Sequence, residues 1–238
     1  MKAIILSHSN YKEKDCIYNA LTEEGYVSFQ AKGAQDPKSK HVWLNNPLTV
    51  ADVDFSEDGR YKHKLLKSAM PLMSALIGGS GLEYNYSIYV LAELSQCVLP
   101  DEEKHLAFND LFEAIKALKS GKDVYMVVLV YMAKLSKLSG VEAEVDKCVI
   151  CGKKEHIAAF SFEDGGFVCS KCLKEGIKRD LTVKQMKIIR YIFKSPDYSM
   201  KATNDFADAD KKVILLKLKE FADSSIGVSL KAIETLAK

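Results

Sequence analysis

The sequence lacks any apolar run long enough to cross a membrane. Its most apolar stretch, Val124 to Ala133, is ten residues held between Asp123 and Lys134, where a spanning helix needs about 20. The N-terminus has four apolar residues in a row, Ala3-Ile4-Ile5-Leu6, against roughly 7–15 for the core of a secretory leader. Strong charge of one sign is missing too. Lys and Arg number 34 against 32 Asp and Glu, a net charge of +2, so any nucleic-acid surface must be local rather than global. Proline (5) and glycine (13) are scarce in 238 residues, while 47% are apolar and 28% charged. That balance excludes disorder and describes a folded chain. Enzyme signatures are absent: no GxxxxGK[ST] loop, no GxSxG elbow and no HExxH helix. The histidines His8, His41, His63, His105 and His156 show no metal-ligand spacing. The expectation is a cytoplasmic protein that is not an enzyme, with no catalytic residue to assign.

What is present is a pattern of cysteines. Cys16 and Cys97 stand alone, but Cys148-Val149-Ile150-Cys151 is followed after 17 residues by Cys169-Ser170-Lys171-Cys172. Two intervening residues let both thiolates of a turn face one ion, and four soft sulfurs suit tetrahedral zinc. The spacing is that of a zinc ribbon. Ala158 to Phe162 and Phe167-Val168, around Glu163-Asp164-Gly165-Gly166, predict a hairpin that returns the second pair to the first. Thioredoxin-like redox chemistry would need a single CxxC opening a helix. Iron–sulfur ligation is a weaker alternative. Four sulfurs leave no open position for catalysis, so one structural zinc is expected on Cys148, Cys151, Cys169 and Cys172. His156 is read as an exposed hairpin residue. From Lys147 to Arg190 there are ten Lys or Arg against five Asp or Glu, an excess that suits phosphate or merely a solvated rim.

Around this segment the chain divides into three. Ala3 to Leu6, Asp15 to Leu21, Tyr26 to Ala31, Leu48 to Phe55 and Tyr61 to Ser68 read as five short strands. Turns at Thr22-Glu23-Glu24-Gly25 and Glu57-Asp58-Gly59 separate some of them, which predicts a small barrel of OB-fold size. Gly78-Gly79-Ser80-Gly81 reads as a hinge. Beyond it, helical spacing covers Tyr84 to Val98, Leu106 to Leu118 after a start at Pro100-Asp101-Glu102-Glu103, and Lys122 to Ser139 closed by Gly140. After the cysteines, Thr182 opens a helix through Phe193, with Val183, Met186, Ile189, Ile192 and Phe193 on one face, ended by Ser195-Pro196. Val213 to Phe221 and Leu230 to Leu236 complete the chain. The fold class is therefore α+β and multidomain: an N-terminal five-stranded OB-fold barrel (1–78), an α-helical core domain (82–146 plus 180–238) and a four-cysteine zinc ribbon (147–179).

Lys32 to His41 carries three lysines and one acid between two strands, with Trp43 just after it. Single-strand surfaces pair a positive groove with aromatic faces on which bases stack. Lys32, Lys38, Lys40 and Trp43 are the candidate nucleic-acid contacts, although packing of the barrel is the more ordinary duty for Trp43, Tyr26 and Phe29. Lys12, Lys14, Arg60, Lys62, Lys64 and Lys67 extend the candidate surface, interleaved with Glu13, Asp15 and Asp58.

With these parts in order, the chain resembles the RecO family of DNA repair proteins over nearly its whole length. Lys2-Ala3-Ile4-Ile5-Leu6 with Glu13-Lys14-Asp15, then Leu21-Thr22-Glu23-Glu24-Gly25, are similar to the family's first strands and turn. Ala31-Lys32-Gly33-Ala34 with Pro37-Lys38-Ser39 resembles its basic loop. Ala92-Glu93-Leu94 with Leu99-Pro100-Asp101-Glu102-Glu103 resembles its first long helix and the turn after it. Cys148-Val149-Ile150-Cys151-Gly152-Lys153, Phe160-Ser161, Gly165-Gly166 and Cys169-Ser170-Lys171-Cys172 resemble its ribbon. The resemblance implies a recombination mediator that binds single- and double-stranded DNA and anneals complementary strands. Its partners would be a RecR-type mediator protein, the C-terminal tail of the single-strand-binding protein and, indirectly, the RecA recombinase. Carried over by position, Lys32, Lys38 and Lys40 contact phosphate and the four cysteines bind zinc. The family usually has more arginine where this sequence has Gln35 and Asp36, which implies modest, salt-sensitive DNA affinity. The alternative is a zinc-ribbon adaptor of transcription or translation that binds protein or RNA.

Overall fold

The computed structural model describes residues 1–56, 64–195, 197–200 and 206–238, without the side chains of residues 225 and 226. The expected turn Glu57-Asp58-Gly59, the candidates Arg60, Lys62 and His63, the start of the fifth strand at Tyr61 and the helix stop at Pro196 lie outside the described residues. Strands β1 (Lys2–Tyr11), β2 (Asp15–Thr22), β3 (Tyr26–Ala31), β4 (Thr49–Ser56) and β5 (Lys64–Ser74) close into a barrel in the order β1-β2-β3-β5-β4. All neighbours are antiparallel except β3 and β5, which run parallel from Phe29↔Lys64. This is the five-stranded OB architecture expected.

The unbroken apolar run in β1 has a physical cause. Ala3 and Ile5 fill the barrel interior with Tyr18, Phe29 and Val53. Ile4 and Leu6 point the other way, into the helical core with Leu21, Leu48 and Val50. A strand buried on both faces does not alternate. Its polar half, Ser7 to Tyr11, continues the hairpin to Tyr11↔Asp15, so the strand is longer than its apolar run. β5 likewise runs on to Ser74, past the expected Ser68. The segment before β4 is more than a loop: Val42–Asn45 forms a 3₁₀ turn whose Leu44 is fully buried in the barrel core, with Trp43, Leu66 and Ala69 against that core.

The helices are α1 (Leu82–Cys97), α2 (Phe108–Lys119), α3 (Val124–Leu138), α4 (Val183–Lys194), α5 (Asp208–Ile226) and α6 (Lys231–Leu236). α3 is buried nearly all round, and it packs against α1, α2, α4 and α5. That is why its sequence reads as one apolar run. Asp123 caps it, accepting from Met126 N at 2.9 Å. Pro100 to Glu103 form a turn, followed by a 3₁₀ turn at Lys104–Ala107, so α2 starts at Phe108 rather than within the acidic run. In α4 Thr182 and Gln185 make a reciprocal capping box. The buried face there is Gln185, Ile188, Ile189 and Ile192. Val183, expected on it, is 65% exposed because it belongs to the first turn, beyond the edge of the core.

Gly78 to Gly81 is stapled rather than a hinge. Lys119 Nζ donates to Ser74 O at 2.9 Å and to Ile77 O, and Tyr84 Oη donates to Ala75 O at 2.6 Å. A Cβ on Gly79 would collide with the Tyr84 ring. Gly79 is there because the chain passes under an aromatic ring. Across the same joint Ser7 donates to Gln96 Oε1 at 2.7 Å.

Candidate metal centre and nucleic-acid interface

β6 (Ile157–Ser161) and β7 (Gly166–Cys169) form the expected hairpin, which holds the two cysteine turns together. Val149 N donates to Phe167 O at 2.8 Å and Ser170 N to His156 O at 2.9 Å. Within the first turn Cys148 N donates to Lys153 O at 2.7 Å and Gly152 N to Cys148 O at 2.8 Å. Gly152 has a φ of 73°, a left-handed conformation that glycine adopts without strain.

The sulfurs of Cys148, Cys151, Cys169 and Cys172 all lie within 4.8 Å of one another, and Cys151 and Cys169 are 3.7 Å apart. A tetrahedron with metal–sulfur bonds of about 2.3 Å has edges of about 3.8 Å. The cluster is therefore compatible with one zinc ion. Its electrostatics favour thiolates. Burial would raise Cys148, but backbone hydrogen bonds from Cys169, Cys151 and Ile150 outweigh it and bring the thiol down to about 6. Burial is likewise outweighed at Cys169 by backbone hydrogen bonds at Lys171 and Cys172. Cys172 goes the other way: its hydrogen bond to Cys151, then burial, push the thiol up to about 12. A divalent cation would displace its proton. His156 is exposed and its ring is no member of the cluster, as its position predicted.

The lysine loop lies at one end of the barrel. Asp15 and Gln35 hold it there. Asp15 accepts from Gly33 N at 2.9 Å and from Gln30 Nε2 at 2.7 Å. Gln35 N donates to Lys14 O at 3.0 Å, and its side-chain amide to Asp15 O at 2.6 Å. These bonds lay Lys32 and the loop after it against the β1–β2 turn that carries Lys12 and Lys14. Asp36 Oδ1 accepts from Lys38 N at 2.9 Å, shaping the turn that exposes Lys38. Lys12, Lys14, Lys32, Lys38 and Lys40 are all exposed. Lys64 also sits at this end, 5.5 Å from the centre of the Phe55 ring.

Trp43 is placed differently. Its ring is half-buried against the barrel core, and its indole N–H donates to Lys40 O at 2.8 Å. Tyr26 packs beneath Lys104, whose ammonium is 4.3 Å from the ring centre, and Phe29 is fully buried. The structure thus gathers the lysines, half-buries Trp43 and Tyr26 and buries Phe29 fully. The sequence named Asp15 and Gln35 but gave no sign that they brace the loop, because their contacts are to atoms 15 or more residues away.

Residues 1–71 match the family model for the N-terminal part of recombination protein O, and residues 80–227 match the model for its C-terminal part. The chain belongs to the RecO family. Curated relatives named "DNA repair protein RecO" agree over nearly the full length. The Halalkalibacterium halodurans protein is 22% identical over 238 residues, covering 97% of this chain and 91% of that one. The Bacillus pumilus protein is 25% identical, covering 97% and 90%. A Bacillus cereus protein is 24% identical, covering 98% and 94%. Membership supports a role in DNA repair. No helix among the described residues is long and apolar enough to cross a membrane.

Proposed function

We propose that this RecO-family chain is a recombination mediator of the cytoplasm that acts by binding rather than by covalent catalysis. It holds single- and double-stranded DNA at the lysine end of its barrel, anneals complementary strands and, with a RecR-type protein, helps load the recombinase onto coated strands. The observation that carries this reading is the gathering of Lys32, Lys38 and Lys40, on a loop braced by Asp15 and Gln35, against Lys12 and Lys14 of the β1–β2 turn. Long cationic side chains on a fixed backbone contact phosphates without reading sequence. One zinc on the four cysteines closes the ribbon and contributes to its folding. A cleft of about 620 Å³ among α2, α3 and α4 carries Lys134, Lys137 and Lys194 above Ile192, Phe193 and Leu138. Its apolar floor, and lysines that an incoming carboxylate could take over from Asp110, Glu142 and Asp146, suit the acidic C-terminal tail of the single-strand-binding protein.

The test is fluorescence anisotropy of a labelled single strand across a salt series, with zinc content measured on the same sample. Steeply salt-dependent binding by protein carrying one zinc is expected, followed by accelerated annealing of complementary strands. Absence of binding at low salt by folded, zinc-loaded protein would replace this reading with a protein- or RNA-binding adaptor.

A further inference from the structure

The cysteine end of the ribbon carries a concentration of positive charge. Lys153, Lys154, Lys171, Lys174, Lys178 and Arg179 are all exposed there, and their side chains make no ion pair or hydrogen bond among the described residues. The acids of the segment are elsewhere or spoken for. Asp180 is bound by Lys217 at 2.6 Å. Asp146, at the base, is gripped by Arg190 at 2.7 Å and by Lys194. Glu163 and Asp164 sit in the hairpin turn at the opposite end, where Asp164 accepts from Ser161 at 2.7 Å. Among the described residues, Glu155 and Glu175 offset the six cations locally, and Lys154 also feels the carboxylate of Asp146.

The backbone of two of these cations is held by the cysteine turns. The Lys153 carbonyl accepts from Cys148 N, and Lys171 lies inside the second cysteine turn. The metal site therefore organises the charge as well as the fold. The ribbon's aromatic base packs Phe162 on Phe221 of α5, with ring centres 5.7 Å apart, while the barrel docks on α1. α3 lies between those helices. The two basic ends are thus carried by different parts of the helical core, and neither continues into the other through a barrel strand.

We propose that the cysteine end of the ribbon is a second phosphate-binding surface, taking the backbone of a second nucleic-acid strand while the barrel holds the first. This rests on the DNA-binding reading above and adds to it a way to bring two strands together on one chain. Charge complementarity decides the occupant: six exposed cations, unpaired among the described residues, fit a polyanion, read through its phosphates and without sequence.

The experiment uses full-length, zinc-loaded protein and the variant K153E/K154E/K171E/K174E, with the matching four-glutamine variant as a milder second form. Primary binding is the anisotropy of one dye-labelled oligothymidylate at limiting protein. Bridging is capture of that strand by bead-bound oligothymidylate at saturating protein, where pairing is impossible. We expect capture to fall about tenfold and its salt slope by up to about 3, at roughly 0.7 per contact, with primary affinity held within about twofold. Unchanged capture by a variant that retains one zinc overturns the proposal. So does an equal loss of primary binding, which would mean one continuous surface. Capture of poly-glutamate by wild type but not variant, with DNA capture intact in both, would assign the face to an acidic protein and overturn it as well. Failure of the wild type to bind even one strand would instead strike the DNA-binding reading itself.

Discussion

Glu93 shows how much one side chain can hold. Its two carboxylate oxygens accept from Lys231 N at 3.1 Å and Ala232 N at 2.9 Å, so a residue of α1 caps the last helix from 138 positions away. α6 is six residues long and has no side-chain cap of its own. A helix that short does not persist alone, and a carboxylate at its N-terminus also meets the positive end of its dipole. Glu93→Ala should cost about 1 kcal/mol of stability, read as a lowered urea midpoint, with faster hydrogen exchange at the Lys231 and Ala232 amides. The family resemblance marked Ala92-Glu93-Leu94 as a motif, but nothing local in the sequence says that Glu93 reaches the C-terminus. Trp43 poses the opposite case. The sequence offered it as a stacking platform, and the structure half-buries it. Trp43→Ala should therefore lower stability by about 2 kcal/mol. Lys38→Ala with Lys40→Ala should leave stability alone and reduce the salt slope for single strands by roughly 1.4. If Trp43→Ala instead weakens DNA binding without shifting the urea midpoint, its assignment to packing is wrong.

At the scale of elements, the sequence was legible where a single force acts. The CxxC pairs, the β6–β7 hairpin, α3 and the five strands each leave a local pattern, whether thiol spacing, turn glycines or apolar periodicity. It was less legible where two parts meet. β1 hides its alternation because both faces are buried. The 3₁₀ turn at Val42–Asn45 is too short to show a period, and only the barrel it plugs explains Leu44. Val183 fits the α4 stripe by spacing and fails by position. Gly78 to Gly81 reads as a linker by composition, yet Gly79 is required by the Tyr84 ring above it. Gly79→Ala should force the ring or the backbone aside and destabilise by about 1–3 kcal/mol, as overpacking does. A true hinge would take the alanine with little change in thermal midpoint, and that result would return the segment to the hinge reading.

At the scale of the whole molecule, the question is how far loss of the metal would spread. The ribbon has two ends with different support. The buried apolar group around the cysteines is small: Cys148, Val168 and Cys169, with Val149, Ile157, Leu173 and Ile177 beside them. So little area cannot offset the backbone entropy of ordering the segment, and a metal ion on the four sulfurs would supply the difference. The other end joins the main core, where Phe160 and Phe167 are buried and Phe162 rests on Phe221. A strong chelator should therefore melt the cysteine turns and leave the helices and barrel folded. Far-ultraviolet dichroism should change little, while hydrogen exchange should rise at Val149, Gly152, Ser170 and Cys172 and stay slow along α3. Acid should do the same, since protons compete with the metal for all four sulfurs. Below the carboxylate range it should also free Asp146, whose pKa is held below the usual value chiefly by its bond to Lys194. Stability from that contact is present above the ordinary carboxylate value and is lost as pH falls through the lowered one. Cooperative unfolding of α3 on chelation would show instead that the metal site and the helical core are one folding unit.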